Sequence, residues 1–248
     1  MANQPDIAAQ WRKIQAAGLC PEITSFDAYT AKYLEQLEVA RKGSVDQASL
    51  VPGSEEIAAV HYVIFRGIHP WAGKFRTPGQ VVTFDGSTPG ADPHRIIPEL
   101  AALKQRTEDE LAGESDEQSR VKVVASYLGA LRRIHPFLDG NTRTTVVLLY
   151  GQVAALFGKK ERPALASLDF KNLLREAYQG HVGFLANRIL AEEGQALLAG
   201  EASEAGRASP GLDEDMETAW QQQRQKILEQ QRLGKPKAAK ETPDELLP

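Results

Sequence analysis

The stretch RRIHPFLDGNTRTTVVLLYG, residues 132–151, places a polar loop between two apolar segments. The first segment ends at His135, the loop runs through Pro-Phe and Asp-Gly-Asn, and the second segment starts near Thr142. By composition alone, such a loop is either an ordinary turn between two helices or the floor of an active site. The segments on either side of the loop decide the fold class.

Both flanking segments predict helices. From Ser119 onward, apolar residues recur at helical spacing, and Pro136 ends that helix near His135. Residues 144–157 are apolar on almost every face, which is typical of a helix buried in the centre of a domain. Gly158 then follows as a C-terminal cap.

Helical spacing recurs along the rest of the chain, whereas strand-like alternation is scarce. The sequence therefore predicts a fold that is mainly all-α, a helical bundle. The further predicted helices cover residues 24–42, which Gly43 ends; a segment that starts with Ser54 as N-cap; residues 98–111; and two segments at 169–180 and 182–200.

One segment, GKFRTPGQVVTFDGS at residues 73–87, predicts β structure. Two short runs, Lys74–Thr77 and Val81–Phe84, flank the turn pair Pro78-Gly79. We expect one short β-hairpin here.

Composition shifts along the 248 residues predict three regions. Residues 1–49 are predicted to form an N-terminal helical extension, residues 50–200 the core of the fold, and residues 201–248 a charged, Gln-rich tail that is partly helical or disordered.

The totals exclude several classes of function. A net charge of −4 gives no electrostatic reason for a nucleic acid or an anionic membrane as main partner. The single cysteine, Cys20, allows neither an internal disulfide nor a cysteine metal cage. No segment has the apolar length of a signal or a membrane span, so we expect a cytoplasmic protein.

The loop residues fit phosphate chemistry. The backbone amides of Gly140, Asn141 and Thr142 lie at the start of the second helix, where unpaired amides and the helix dipole attract anions. Arg143 adds a cation that can hold two phosphate oxygens at once. Asp139 would repel a phosphate unless a magnesium ion lay between them, and Mg²⁺ commonly binds one or two carboxylates plus phosphate oxygens.

His135, at the other end of the loop, is suited to take a proton from a hydroxyl group. Each residue also has a plainer explanation: a histidine can complement the end of a helix, and Arg143 can simply pair with Asp139. The spacing of the whole set favours chemistry.

The sequence HPFLDGNTR, residues 135–143, resembles the signature loop H-P-F-x-[D/E]-G-N-G-R-x-x-R of the Fic (filamentation induced by cAMP) family. IHPWAGKFRT, residues 68–77, resembles that family's approach to its flap hairpin. EEIAAVHYVIF and LLREAYQGHVGFLANRIL resemble the helix before the flap and the helices that close the core. The resemblance covers about residues 50–195.

The resemblance implies a helical bundle that transfers AMP from ATP to a Ser, Thr or Tyr hydroxyl of a target protein, with Mg²⁺ as cofactor. By position, it makes His135 the general base and Asp139 the magnesium ligand. The other implied roles are an anchor in the core for Phe137, phosphate binding for Gly140, Asn141, Thr142 and Arg143, and a flap that holds the target by strand addition for Lys74, Phe75, Arg76 and Thr77.

Two positions depart from the signature: Thr142 replaces its second glycine and Val146 its second arginine. In the family that arginine contacts the outer phosphates of ATP, so the departures keep two alternatives open. The first is the same scaffold with a different donor, for transfer of phosphate, UMP or phosphocholine. The second is a catalytically weak binding or regulatory homologue.

The departures from the signature also bear on how the implied activity would be regulated. Many family members inhibit themselves with a segment [S/T]-x-x-x-E-[G/N], whose glutamate pairs with the second arginine. In this sequence no Ser or Thr has Glu four positions later. We therefore expect either a separate inhibitory protein, as in a toxin–antitoxin pair, or no such control. His61, His69, His94 and His181 lack metal-ligand spacing and are interpreted as structural.

Overall fold

The computed structural model describes residues 23–84, 88–158 and 170–192, together with residues 11, 12, 15 and 16. Within these ranges the chain is mostly helical, as predicted. The helices are α1 Phe26–Asp46, α2 Ser54–Phe65, α3 Ile96–Gly113, α4 Glu117–Ile134, α5 Asn141–Phe157, α6 Phe170–Gln179 and α7 Val182–Glu192, and a 3-10 turn at Pro93–Arg95 precedes α3.

Helices α4 and α5 form the centre of the molecule. Helix α4 packs against α3, α5, α6 and α7, and its Val121, Val124 and Leu128 are completely buried. Helix α5 is buried along most of its length, as its apolar composition predicts, and Gly158 caps its C-terminus in the left-handed conformation. The loop at residues 135–140 thus joins the two most buried helices of the described chain.

Helix α1 packs against α2 and α5 and completes a second apolar cluster. The prediction that Gly43 ends this helix was wrong, because α1 continues to Asp46. There α1 approaches α5 so closely that a Cβ on Gly151 would lie 2.5 Å from the backbone oxygen of Ser44. Packing against a neighbouring helix outweighs the weak helix propensity of one glycine. The second apolar cluster, which α1 completes, is formed by Tyr29, Tyr33, Leu37, Ile64, Phe65 and Val147, among others.

The start of α2 also differs by one residue from the prediction. Gly53, not Ser54, is the N-cap, and its amide donates to Oε2 of Glu56 at 2.6 Å. The glutamate at the third helical position satisfies the amide of the cap residue, which is one of the two hydrogen bonds of a capping box; glycine has no side chain to make the other.

The hairpin lies further along the chain than predicted. Strand β1 (Thr83–Phe84) pairs antiparallel with β2 (Thr88–Pro89), and Lys74–Thr77 is not a strand. The amide of Arg76 donates instead to the carbonyl oxygen of Pro136, at 2.9 Å. Because this amide is bonded to the loop, it is not available for the strand pairing that the sequence predicted.

No helix among the described residues is long and apolar enough to cross a membrane. Residues 159–169 and the tail predicted at 201–248 lie outside the described residues. The boundaries between the three predicted regions, after residue 49 and after residue 200, stay predictions.

Candidate functional site

His135 occupies an unusual backbone position at the end of α4. It is the C-cap of the helix, with φ 51° and ψ 60°, and no other non-glycine residue in the described ranges has a positive φ. Left-handed backbone costs a residue with a Cβ about 1–2 kcal/mol, so surrounding contacts must hold it there. The residue is 9% exposed.

Burial and two cations keep the His135 ring neutral. The pKa of His135 is lowered from the ordinary 6.5 to about 3, first by burial and then by the nearby charges of Arg132 and Arg76, while Asp139 opposes the shift. The Nδ1 atom lies 3.2 Å from Nη1 of Arg132. Across the neutral pH range the ring therefore holds one proton and can accept a second.

Asn141 fixes the shape of the loop. Its Oδ1 accepts from the amide of Phe137 at 2.9 Å, and its Nδ2 donates to the carbonyl of the same residue at 2.8 Å. The Phe137 ring is buried and stacks on His61, with 3.7 Å between ring centroids. The side chain of Asn141 thus braces the loop, and only its main chain is left for an anion.

Gly140 is the N-cap of α5, with φ 80°. Its amide donates to Oδ1 of Asp139 at 2.5 Å, so a carboxylate takes one of the three amides predicted to bind phosphate. The amides of Asn141 and Thr142 begin the helix, where amides have no partner within the helix itself. These two remain the amides best suited to an anion.

Asp139 and Arg143 form an ion pair, with 3.0 Å between Oδ1 and Nη2. This is the pairing that the plainer interpretation of the loop expects. Burial by itself raises the pKa of Asp139, but Arg143 and the Gly140 amide outweigh it and lower the pKa below its usual value. The carboxylate is therefore ionised at neutral pH.

The guanidinium of Arg143 also lies over two aromatic rings, 5.5 Å from the ring centroid of Tyr33 on α1 and 4.8 Å from that of Phe65 on α2. Cation–π contacts of this length hold a guanidinium in place. Neither ring was predicted to belong to the site. The only signal in the sequence is that Tyr29 and Tyr33 are four residues apart on a helix.

The residues predicted as a target-binding flap lie in different environments. Lys74 and Thr77 are exposed, and Nζ of Lys74 donates to the carbonyl of Pro70 at 3.0 Å. Phe75 is half-buried, 5.2 Å from the ring of Phe137. Arg76 is 4% exposed and bonds to backbone carbonyls. The expectation that these four residues form one exposed strand edge was wrong.

His61 and His69, which the sequence analysis interprets as structural, both lie beside the loop. His61 is fully buried; its Nδ1 accepts from the amide of Gly73 at 2.8 Å, and its Nε2 lies 3.1 Å from the carbonyl oxygen of Asp139. His69 stacks on Trp71 at 4.1 Å. Burial lowers the pKa of each histidine to about 4.

These three neutral histidines predict that the protein loses stability in mild acid. His61, His69 and His135 bind protons more weakly in the folded than in the unfolded chain. Their contribution is complete above the unfolded pKa near 6.5 and is lost as the pH falls towards 4. We expect the free energy of unfolding to drop by about 1.4 kcal/mol per pH unit for each histidine.

Urea midpoints measured between about pH 8 and pH 5 test this expectation. His69→Phe keeps a ring on Trp71 and should reduce the slope by about a third. His94→Gln removes an exposed histidine and should leave the slope unchanged. A wild-type midpoint that is constant across this range contradicts the prediction.

Among the described residues, no three His, Cys, Asp or Glu side chains gather as a metal site. A magnesium ion on Asp139 would accordingly find fewer than three such ligands among the described residues and would complete its shell with phosphate oxygens and water. This donor set fits an ion that arrives with a nucleotide rather than one that the apoprotein retains.

Comparison with known proteins shows which family the sequence resembles. Residues 52–152 match the model of the Fic/DOC family. No curated protein sequence matches the chain.

Three solved structures illustrate the similarity. The VirB-translocated Bartonella effector protein BepC from Bartonella tribocorum, with bound AMPPNP, has 18% identity and a TM-score of 0.47, over 68% of this chain and 88% of that chain. A Fic domain containing signaling protein from Bacteroides thetaiotaomicron has 17% identity and a TM-score of 0.47, over 71% and 77%. The N-terminal Fic domain of a Bep effector protein from Bartonella quintana, with bound ADP, has 19% identity and a TM-score of 0.45, over 70% and 89%.

The family match begins just before α2 and ends within α5, so it includes both the loop at residues 135–140 and the segment that contains Arg76. Residues 52–152 of this chain are therefore a match to the Fic/DOC family.

Proposed function

We propose that this protein is a nucleotidyltransferase that moves AMP from ATP to a Ser, Thr or Tyr hydroxyl of a target protein. The match of residues 52–152 to the Fic/DOC family supports a transferase-type enzyme. The observation that carries the finer proposal is a neutral His135 at the end of one buried helix, six residues before the start of the next. Asp139 and Arg143 lie around that start.

In the proposed reaction, the target hydroxyl oxygen attacks the α-phosphorus of ATP and the bond from that phosphorus to the bridging oxygen breaks. Pyrophosphate leaves, and the His135 ring takes the hydroxyl proton. The Asn141 and Thr142 amides stabilise the negative charge on the phosphate oxygens. A magnesium ion, when bound at Asp139, would neutralise part of the charge on the phosphates.

The ion pair between Asp139 and Arg143 must be broken before both side chains can contact the nucleotide complex. Both side chains are assigned to the nucleotide, one through magnesium and the other directly. We infer that binding of the Mg²⁺–ATP complex exchanges this pair for contacts with the metal and the phosphates. The aromatic rings of Tyr33 and Phe65 keep Arg143 beside the helix start during the exchange.

The proposal is tested by incubation of the protein with ATP, magnesium and a bacterial lysate, followed by intact-mass measurement of the modified target. An added mass equal to one AMP unit supports the proposal. An added phosphate, UMP or phosphocholine unit would support the alternative donor that Thr142 and Val146 leave open. Absence of ATP binding at millimolar concentration would favour a binding module without turnover.

We further propose that any inhibitor of this enzyme is a separate protein. The sequence lacks the inhibitory segment of the family, and Val146 stands where that segment's glutamate would find its arginine. A small protein that carries the missing segment, encoded beside this chain, would have the character of an antitoxin.

Val146 supplies a prediction about the nucleotide. It lies one turn beyond Arg143 on α5, half-buried against the main core, and it cannot donate to a phosphate. We expect the wild type to bind ATP and ADP with similar affinity, and Val146→Arg to prefer ATP by about 1.5–3 kcal/mol, near one charge-assisted hydrogen bond.

Calorimetric titration at fixed magnesium and salt measures this preference. Val146→Met, which adds length without charge, is the matched control and should not discriminate between the two nucleotides. If the wild type already prefers ATP by about a hundredfold, another cation such as Lys74 holds the γ-phosphate, and our account of Val146 is wrong.

A further inference from the structure

Arg76 is a buried arginine whose hydrogen bonds in the described part of the chain go to backbone carbonyls, and the charge of Asp92 also acts on its guanidinium. Its Nε donates to the carbonyl of His135 at 2.8 Å and its Nη1 to that of Gln80 at 3.0 Å. Its Nη2 donates to Ala91 at 2.8 Å and to Ile134 at 3.4 Å. All three nitrogens of the guanidinium thus have an acceptor, which burial of a cation requires.

Two of these carbonyls belong to the C-terminus of α4. The carbonyls of Ile134 and His135 lie at the helix end, where the last carbonyls lack helical partners and carry the negative end of the dipole. A guanidinium supplies hydrogen-bond donors for these carbonyls and a positive charge that complements the negative end of the dipole. Arg76 therefore stabilises the turn in which His135 takes its left-handed conformation.

The other two carbonyls flank the hairpin. Gln80 precedes β1, and Ala91 follows β2. The amide of Ala91 also donates to the carbonyl of Ile134 at 3.1 Å. One side chain consequently links both ends of the hairpin segment to the residue that carries the proposed base.

The packing around this link is tight. A Cβ on Gly90 would lie 2.9 Å from Cβ of His135 and 3.0 Å from Nη2 of Arg76. The amide of Arg76 itself donates to the carbonyl of Pro136 at 2.9 Å, on the other side of His135. The backbone of His135 is thus held from both sides by the same residue.

We propose that Arg76 is a positioning residue: it holds His135 in its left-handed conformation and aligns the hairpin segment with it, so that a chain bound along the hairpin presents its hydroxyl to the His135 ring. This inference rests on the proposed function, in which His135 is the base. It assigns Arg76 a role different from the direct contact with the target that the sequence suggested.

The first test compares Arg76→Lys with the wild type. Lysine keeps the charge, but a single nitrogen cannot reach carbonyls on three segments. We expect AMP transfer to fall by about a hundredfold and the Kd for Mg²⁺–ATP to stay within about twofold. Arg41→Lys changes a partly buried arginine that pairs with Glu38 on α1 and should leave both quantities unchanged.

A double-mutant cycle tests whether Arg76 acts through His135. In a His135→Ala background, Arg76→Lys should cause little further loss of the residual transfer, because the group that it positions is gone. An equal loss in both backgrounds, or a wild-type rate for Arg76→Lys, overturns the proposal.

Histidine ring spectra of ¹⁵N-labelled protein give a readout that needs no activity. The chain has five histidines, and His135 is identified by its absence from the His135→Ala spectrum. Arg76→Lys should shift the His135 signals and leave those of His94 and His181 in place; unchanged His135 signals overturn the proposal. If the ring shifts in a protein that transfers no nucleotide, the proposed function fails and the positioning role stands.

Gly90→Ala perturbs the same contact while Arg76 is kept, and it serves if Arg76→Lys does not fold. Its added methyl group presses on His135 and on Nη2 of Arg76. We expect the same separation of effects: slower transfer, an unchanged Kd for Mg²⁺–ATP and shifted His135 ring signals. Wild-type values for all three contradict the proposal.

Discussion

Replacement of His135 by alanine is expected to lower AMP transfer by about 10²–10⁴-fold, because a positioned general base contributes that much to a proton-transfer step. The ring is neutral at physiological pH and so can accept the hydroxyl proton. The residues assigned to the phosphates are Asp139, Arg143 and the amides that begin α5, so the Kd for Mg²⁺–ATP should change by less than about twofold.

Labelled ATP and a purified target, at saturating nucleotide, measure the loss. His181→Ala is the control, because this exposed histidine pairs with Glu176 on α6 and is remote in sequence from the loop. Equal labelling by wild type and His135→Ala would exclude His135 as the base.

The wild-type pH–rate profile adds a check. A base whose pKa is about 3 is already deprotonated above pH 5, so the rate should show no inflection near 6.5. An inflection there would mean that the ring has an ordinary pKa when substrates are bound.

Gly140→Ala is the second change with a large expected effect. Its φ of 80° is strained for any residue with a Cβ, and an added Cβ would lie 2.3 Å from the Phe65 ring. Left-handed strain of about 1–2 kcal/mol and overpacking of about 1–3 kcal/mol both act, so we expect a loss of about 2–5 kcal/mol in the free energy of unfolding. Displacement of Phe65 also disturbs Arg143, which lies over that ring, so nucleotide affinity should fall as well.

The other end of the same helix supplies the matched control. Gly158 caps α5 with φ 63°, and an added Cβ meets nothing within 4 Å. Gly158→Ala should therefore cost only the strain, about 1–2 kcal/mol, and should leave nucleotide binding intact. Urea unfolding and calorimetry of the two variants separate strain from packing; equal losses would show that the contact with Phe65 is unimportant.

The helices were predictable because their signals are local. Apolar residues at helical spacing predicted α4 and α5, and Pro136 and Gly158 marked where each ends. The errors fell where packing competes with propensity. Gly43 does not end α1, because the close contact between Ser44 and Gly151 holds the helix together beyond the glycine.

The sequence indicated the loop as a candidate site, but it did not predict several of the contacts within the loop. The order of His135, Asp139 and Arg143 indicated phosphate chemistry, and the structure brings Asp139 and Arg143 into an ion pair that sequence alone left as one of two alternatives. The contact of Arg143 with Tyr33 joins residues 110 positions apart along the chain, and no periodicity in the sequence indicates a contact over so many residues.

The sequence by itself determined the helical class, the position of the polar loop between two buried helices, and the residue types available for chemistry, because caps, turns and periodicity act over a few residues. The tertiary structure alone decided where the hairpin forms and what Arg76 does. Its guanidinium bonds to carbonyls from three separate segments, and its own amide goes to Pro136 rather than to a neighbouring strand. The physical reason is that buried polar groups must all find partners, and which partners lie within reach is settled only when the helices have packed.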